Sequence, residues 1–456
     1  MKKSITQDHY EDNQVTQKMQ NFLKKFHIGA ALKKANAYKN KGYPIMQIFQ
    51  YLFVLIFSHR SMYMDMLTNK NGAIFKKDTV YRFMQSTYIN WIRFTSTIAA
   101  NIIKQVEPLT SEDRVNTFII DDSICERNRS KKVELLSKVY DHAQKVYRYG
   151  FRMLTLGWSD GNTFVPVNSV LLSSENEKSR INEPKQVDKR TAGHKRRQFS
   201  LTKATTVMLD LIKEAKKTGI NASYVLFDSW FTSPSTVHAI CGLGYNVISM
   251  VKKSPKMFFR YQDENLPLTK IYQLNKKRRG RSKYLLSVIV DVIKDDKVIP
   301  AKIVYVRNRN KRSEYLCLIS TNIDLNEEEI IRIYGKRWII EVFFKVCKSY
   351  LRLNKECHSL SYDAMTAHVA IVFTRYMMLA FEERINIDER SWGELFLRFS
   401  DELADITWIH AFHLLLDIFM NTLSDKLFLT SKVLDELMNA FLSAIPSVLK
   451  CKLKIS

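Results

Sequence analysis

The chain has 456 residues, 46% of them hydrophobic and 12% aromatic, which excludes general disorder and provides enough core for two or three domains. It carries 71 Lys and Arg against 46 Asp and Glu, a net charge of +25 that implies a polyanionic partner. No run of about eighteen uncharged apolar residues, signal-peptide pattern or C-x-x-C spacing occurs. We therefore expect a cytoplasmic protein with no membrane span, disulfide framework or zinc site.

Residues 1–112 are predicted to form a helical domain. Apolar residues recur at helical spacing in four stretches, Val15 to Phe26, Ile45 to Phe57, Val80 to Met84 and Trp91 to Ile103. Before the third stretch, Asp78 is an acidic cap for a helix that carries Arg82. This segment resembles the second helix of a helix-turn-helix, whose first turn enters the major groove, and an ordinary packed helix fits the pattern equally well.

Residues 113–232 change to a strand pattern. Strands are predicted at Thr117 to Asp122, Phe151 to Trp158 and Thr163 to Leu172, the last two joined by the turn sequence Ser-Asp-Gly-Asn. A basic loop from Ser173 to Gln198 follows and includes His194-Lys-Arg-Arg197, which we interpret as contacting phosphates. A helix from Thr202 to Thr218 leads to a further strand that ends at Asp228.

Three acids in this region follow apolar strands. Asp121 and Asp122 end the first strand and Asp228 ends the last. An acid at a strand end presents its carboxylate at the edge of the sheet, where such groups commonly hold Mg²⁺, although aspartate there is also an ordinary turn former. Neighbouring side chains on a strand point to opposite faces, so only one of Asp121 and Asp122 is expected to face a metal.

Residues 233–325 are predicted to be a β-rich insertion, since the stretch from Asp228 to Glu341 is too long for one connection in a compact core. Its predicted strands are Tyr245 to Val251, Tyr284 to Val292, Val298 to Val306 and Tyr315 to Ser320. A dense basic run supplies Lys276, Arg278, Arg279 and Arg281 as candidate DNA contacts. The alternative is that these bases only keep the protein soluble.

Residues 326–356 are predicted to contain a helix with one polar face. At about 100° per residue, a single arc of roughly 80° holds five side chains. They are Tyr334, Arg337, Glu341, Lys345 and Lys348. The residues between them are apolar and would bury the other sides of the helix. A solvated stripe is the alternative interpretation of this face.

The spacing Y-x2-R-x3-E-x6-K of that helix resembles the signature of one branch of bacterial insertion-sequence transposases, the cut-and-paste DDE enzymes, around their catalytic glutamate. All four letters match in order and spacing. The resemblance implies an α/β fold with a ribonuclease-H-like catalytic core and a β-rich insertion, flanked by N- and C-terminal helical regions. Residues 357–456 form the C-terminal region, with helices predicted at Ala364 to Phe381, Ile406 to Leu423 and Ser431 to Leu449.

The resemblance also implies a mechanism. Asp121, Asp228 and Glu341 would hold Mg²⁺, with Mn²⁺ as a substitute, and two such ions would stabilise the entering and leaving oxygens of a phosphodiester. Asp121 is preferred to Asp122 because family members often show aspartate, any residue, then serine or threonine. Tyr334, Arg337 and Lys348 would contact the transposon end.

The implied partners are double-stranded DNA, as terminal inverted repeats bound by the N-terminal domain and as target, and a second copy in a homodimer. Trp230 and Trp338 could stack on an extruded base, as hairpin-forming transposases require, although tryptophan is more often a core residue. Two rival functions remain open at this point. One is a nuclease of the same fold that does not join strands, and the other is a repressor-like DNA-binding protein.

Overall fold

The computed structural model describes residues 14–58, 62–68, 74–110, 114–142, 144–278, 282–308, 311, 314–386 and 431–444. These residues belong to two compact units. One contains residues 14–25, 46–80 and 431–444, with the gaps just given, and the other contains residues 26–45 and 81–386. The helices of the predicted N-terminal domain are therefore shared between the two units.

The N-terminal region is helical, as its apolar spacing predicts. Its helices are α1 (Gln14–Lys25), α2 (Ile28–Lys34), α3 (Ile45–Leu55), α4 (Met62–Thr68), α5 (Lys77–Met84) and α6 (Trp91–Val106). In the first unit, the rings of Phe22 and Phe53 stack with centroids 6.3 Å apart, and the Tyr51 hydroxyl donates to the buried Asp65 carboxylate at 2.8 Å. Arg82 is exposed on α5.

The second unit is built on an α/β core. Its strands are β1 (Thr117–Glu126), β2 (Ser137–Asp141), β3 (Val146–Ser159), β4 (Phe164–Leu172), β5 (Tyr224–Phe227) and β6 (Asn246–Val251). The core order is β4-β3-β1-β5-β6, with β1, β5 and β6 parallel and β3 antiparallel to β1 and β4. β2 also pairs antiparallel with the start of β3. The prediction of an α/β core is confirmed.

Crossover helices make the parallel pairings possible. After a short helix α7 (Ala192–Ser200), α8 (Ala204–Lys217) leads into β5, and α9 (Pro234–Gly242) connects β5 to β6. The apolar stripe of α8 is buried, and the helix ends before Gly219, whose φ of +81° only glycine adopts readily. Parallel strands need crossovers of this kind, and both faces of β5 are consequently buried.

The sheet continues beyond β6 through the predicted insertion. Its further elements are β7 (Phe258–Tyr261), β8 (Glu264–Pro267), α10 (Leu268–Leu274), β9 (Tyr284–Lys294), β10 (Lys297–Arg307) and β11 (Tyr315–Ser320). β11 pairs antiparallel with β6, so core and insertion share one sheet. The assignment of the strand at Tyr245 to Val251 to the insertion is wrong, because β6 pairs in parallel with β5.

Three of the remaining helices belong to the second unit and the last belongs to the first. They are α11 (Glu327–Gly335), α12 (Ile339–Ser349), α13 (Tyr362–Asn386) and α14 (Ser431–Ala444). On α12, Phe343 packs against Phe164 of β4 and Tyr376 of α13, with ring centroids 5.0 and 4.7 Å away. By length and composition α13 could span a membrane, yet 94% of its apolar window is buried, as in a core helix. The helix predicted at 406–423 lies outside the described residues.

Candidate active site

Asp121, in the middle of β1, and Asp228, directly after β5, lie at the same level of two neighbouring parallel strands. The predicted end of the first strand at Asp122 is wrong, because β1 continues to Glu126 in its pairing with β3. The β1–β5 register pairs Ile120 with Phe227, and the two aspartates are the next residues. Asp121 is 9% exposed, and burial raises the pKa of its carboxyl to about 7. The Arg337 guanidinium opposes this rise and the Glu341 carboxylate adds to it. A cation bound here would oppose the rise, because a nearby positive charge favours the ionised carboxylate.

The segment that carries the signature is not one continuous helix. A 3₁₀ turn at Lys336–Trp338 separates α11 from α12, so Tyr334 ends one helix and Glu341 lies in the first turn of the next. The prediction of a single regular arc is wrong here, because a 3₁₀ turn rotates the chain by about 120° per residue. The Arg337 guanidinium lies 6.0 Å from the centre of the Tyr334 ring.

Arg337 connects the strand acids to the helix acid. Its Nη1 lies 2.5 Å from Oδ2 of Asp121 and 3.8 Å from Oε1 of Glu341. The acid of β1 and the acid of α12, which the sequence separates widely, therefore both contact the same guanidinium nitrogen. Because Arg337 is largely buried, this contact is better shielded from solvent than a surface ion pair.

Asp122 has a different partner. Its carboxylate pairs with Nε of Arg152 on β3, and the Arg152 guanidinium lies 5.0 Å from the centre of the Trp230 ring. Lys252 Nζ lies 5.4 Å from the same ring. The two neighbouring aspartates thus contact different arginines, Asp121 toward α12 and Asp122 toward Trp230. Trp230 is half exposed and lines a cleft, so it is not a core residue.

The two lysines of the predicted polar face differ in position. Lys348 donates from Nζ to Oγ of Ser123 on β1 at 2.6 Å and lines the cleft. Lys345 is exposed on α12 and does not line it. Lys348 therefore lies on the side of the candidate acids, and Lys345 faces solvent.

The candidate acids line one cleft of about 1100 Å³. Its polar lining includes Asp121, Asp122, Asp228, Glu341, Arg152 and Lys348. Carboxylate oxygens are the ligands that Mg²⁺ prefers, so the donor chemistry fits a divalent cation. Within the described part of the chain, no three His, Cys, Asp or Glu side chains are close enough to hold one ion as they stand. Arg337 lies between two of the candidate ligands and would have to release Asp121.

The other predicted DNA contacts lie apart from the cleft lining. Lys276 and Arg278 are exposed, and the Arg278 guanidinium lies 4.4 Å from the centre of the Tyr284 ring. Arg279 and Arg281 lie outside the described residues. Neither Lys276, Arg278 nor Arg82 is among the residues that line the cleft.

The basic run at 194–197 lies on the helix α7, and two of its arginines are buried. Arg197 is buried and bonds both Glu134, at 2.7 Å from Nε, and Asp363, at 2.8 Å from Nη2. Arg196 is also buried and lies 2.7 Å from Asp363. The interpretation of these two arginines as phosphate contacts is wrong, because their hydrogen bonds join α7 to α13 and to the loop before β2.

Sequence reasoning missed Arg152 and Lys252. Both lie beside Trp230 in the cleft, and Arg152 holds Asp122. The signal for Arg152 was an arginine inside the otherwise apolar run that begins at Phe151. A charged group in a buried strand needs a partner, and it commonly marks a site.

A sheet of order β4-β3-β1-β5-β6, with one acid on β1 and one directly after the neighbouring parallel strand β5, defines a ribonuclease-H-like core. The family model described as DDE superfamily endonuclease matches residues 54–291, just over half of the chain, and the chain belongs to this family. The matched region includes Asp121 and Asp228 and ends before Glu341. Membership implies nuclease or transposase activity on DNA with divalent metals. No curated protein matches the sequence.

Proposed function

We propose that the protein is a transposase of the cut-and-paste branch with the Y-R-E-K signature, which cleaves the ends of its own element and joins them to target DNA. One observation carries this proposal. The strand register sets Asp121 beside Asp228, and Arg337 reaches from Asp121 to Glu341. The two strand acids and the signature acid thus converge on one cleft, and a family match that includes both aspartates supports their role.

Asp121, Asp228 and Glu341 would hold Mg²⁺, or Mn²⁺ in its place. Such ions lower the pKa of the attacking water or 3′-hydroxyl and neutralise charge on the leaving oxygen. Arg337 exchanges its carboxylate partner for a substrate phosphate, which its planar guanidinium can bind through two hydrogen bonds. Lys348, held at Ser123, places a point charge on the same backbone. Asp122 positions Arg152 and takes no direct part.

The DNA contacts extend beyond the cleft. Lys345, Lys276, Arg278 and Arg82 are exposed and are proposed to neutralise phosphates of the terminal inverted repeats or the target, together with Arg279 and Arg281. The net charge of +25 supports a partner of this kind. A homodimer in the DNA complex and a cytoplasmic, nucleoid-associated location complete the proposal.

A plasmid assay distinguishes this function from its rivals. Purified protein is mixed with a supercoiled plasmid that carries the element's ends, together with a second DNA and Mg²⁺ or Mn²⁺. We expect a released fragment with 3′-hydroxyl ends that becomes joined to the second DNA. Cut ends that are never joined would indicate a nuclease, and bound but uncut DNA would indicate a repressor.

Arg337→Lys tests the phosphate contact of the signature. The substitution keeps the charge and removes the planar fork, so end binding should change by less than about threefold, while cleavage should fall about a hundredfold because the phosphate is misplaced. Binding is measured by fluorescence anisotropy and cleavage on the same oligonucleotide. Arg332→Lys, at an exposed arginine of α11 that pairs with Glu329, is the matched control and should change neither. Equal losses of binding and cleavage in Arg337→Lys would contradict a positioning role.

A further inference from the structure

The second strand and the start of the third form a two-stranded ribbon with three exposed tyrosines. Its register sets Lys138 opposite Tyr149 and Tyr140 opposite Tyr147. Tyr140, Tyr147 and Tyr149 are 38%, 73% and 39% exposed. We call residues 137–142 and 144–149 the tyrosine ribbon. Because opposite residues on paired strands share a face, all three rings lie on one side of it.

The two faces of the tyrosine ribbon differ sharply. Ser137 and Val139 are buried, whereas Lys138 and Tyr140, which alternate with them, are exposed. A strand with one buried face normally carries polar side chains on the other. Three aromatic rings at successive exposed positions instead provide an apolar, stackable surface, which is typical of a binding site.

Ion pairs join the tyrosine ribbon to the core sheet, and exposed lysines give it positive charge. Arg148 Nε lies 3.1 Å from Asp141 and its Nη1 lies 3.3 Å from Glu126, which ties both strands to the end of β1. Lys138 and Lys145 are exposed. The ribbon therefore presents aromatic rings together with positive charge, the combination that binds unpaired nucleic acid by stacking and by neutralising its phosphates.

The same ribbon forms one wall of the candidate active site. Lys138 and Tyr140 line the cleft that also contains Asp121 and Asp228. A DNA strand that leaves the acids along this wall would next meet Tyr140 and then its cross-strand neighbour Tyr147, whose ring centre is 5.1 Å away.

We propose that the tyrosine ribbon binds unpaired DNA next to the cleavage site, with bases stacked on Tyr140 and Tyr147 and phosphates at Lys138 and Lys145. The inference rests on the proposed function, because it takes the cleft to hold DNA. Unpaired rather than duplex DNA is the occupant, since bases within a duplex have their faces covered by their neighbours. Tyr147, the most exposed of the three, should contribute most.

The test compares two labelled oligonucleotides, a blunt duplex and the same duplex with a short unpaired flank. For the wild type, fluorescence anisotropy should show tighter binding of the flanked DNA, and 2-aminopurine in the flank should be quenched by stacking. Tyr147→Ala should weaken flanked binding about tenfold, leave blunt binding unchanged and relieve the quenching. Tyr147→Phe keeps the ring and should bind as the wild type does. Tyr38→Ala, at a tyrosine 69% exposed elsewhere, is the matched control.

The outcomes separate this inference from the proposed function. Loss of flanked binding alone, in a Tyr147→Ala protein that still cleaves blunt ends, supports the ribbon. Normal flanked binding by Tyr147→Ala, or equal losses on both DNAs, overturns the ribbon and leaves the transposase proposal intact. A change from dimer to monomer by light scattering, with DNA binding unaltered, also overturns it and assigns the surface to a second copy. A wild type that binds neither DNA overturns both proposals.

Discussion

Glu341→Gln is expected to lower the rate of DNA cleavage about a thousandfold or more, equivalent to roughly 4 kcal/mol of transition-state stabilisation. The substitution keeps the size of the side chain and removes the charge that would help to hold the cation beside Asp121. DNA binding should change little, because it depends mainly on basic side chains. Single-turnover cleavage of a labelled transposon end measures the first effect, and anisotropy measures the second.

The neighbouring acids provide the controls. Asp121→Asn and Asp228→Asn should be as inactive as Glu341→Gln, whereas Asp122→Asn should be only impaired, because Asp122 pairs with Arg152. Glu328→Gln, an exposed acid on α11, should cleave normally. Full activity in Glu341→Gln would remove this glutamate from the site, and an inactive Asp122→Asn with an active Asp121→Asn would exchange the two roles.

Arg197→Met should lower the free energy of unfolding by about 3 kcal/mol. The substitution leaves Glu134, which is 3% exposed, without its guanidinium partner and weakens the contact with Asp363. A buried carboxylate that loses its partner costs far more than a surface ion pair gains. Urea unfolding followed by tryptophan fluorescence provides the measurement.

Lys195→Met is the matched control for this change. Lys195 lies on the same helix and is exposed. The free energy of unfolding of the Lys195→Met protein should therefore stay within about 0.5 kcal/mol of the wild-type value. DNA binding should fall in Lys195→Met if this lysine contacts phosphate. It should stay unchanged in folded Arg197→Met, because that arginine is buried. Equal stabilities for the two variants would show that the network around Arg197 contributes nothing.

Local sequence pattern was enough to predict the strands that carry the candidate acids. Apolar runs that end in an acid predicted β1 and β5, and the turn sequence after Ser159 predicted the β3–β4 hairpin. These features depend on neighbouring residues, because alternation and turn chemistry are local properties. The same holds for the apolar stripe that buries α12 against β4 and α13.

Features that depend on pairing between distant segments could not be predicted in this way. The strand at β6 has the same pattern whether it joins β5 or an insertion, and only its hydrogen bonds assign it to the core. The burial of Arg197 depends on Glu134 and Asp363, which are remote in sequence. The 3₁₀ turn at Lys336–Trp338 was also not predicted, because its residues are compatible with a regular helix.

Asp121 is synthesised well before Arg337, its partner in the cleft region. The two residues are 216 positions apart, and Glu341 follows shortly after. At about 5–20 residues per second, a ribosome needs roughly 10 to 40 seconds to travel from the first to the second. A nascent chain that already displays β1 thus lacks both the guanidinium and the third acid. The cleft that contains Asp121 therefore cannot acquire all of its charged groups before α12 has been synthesised.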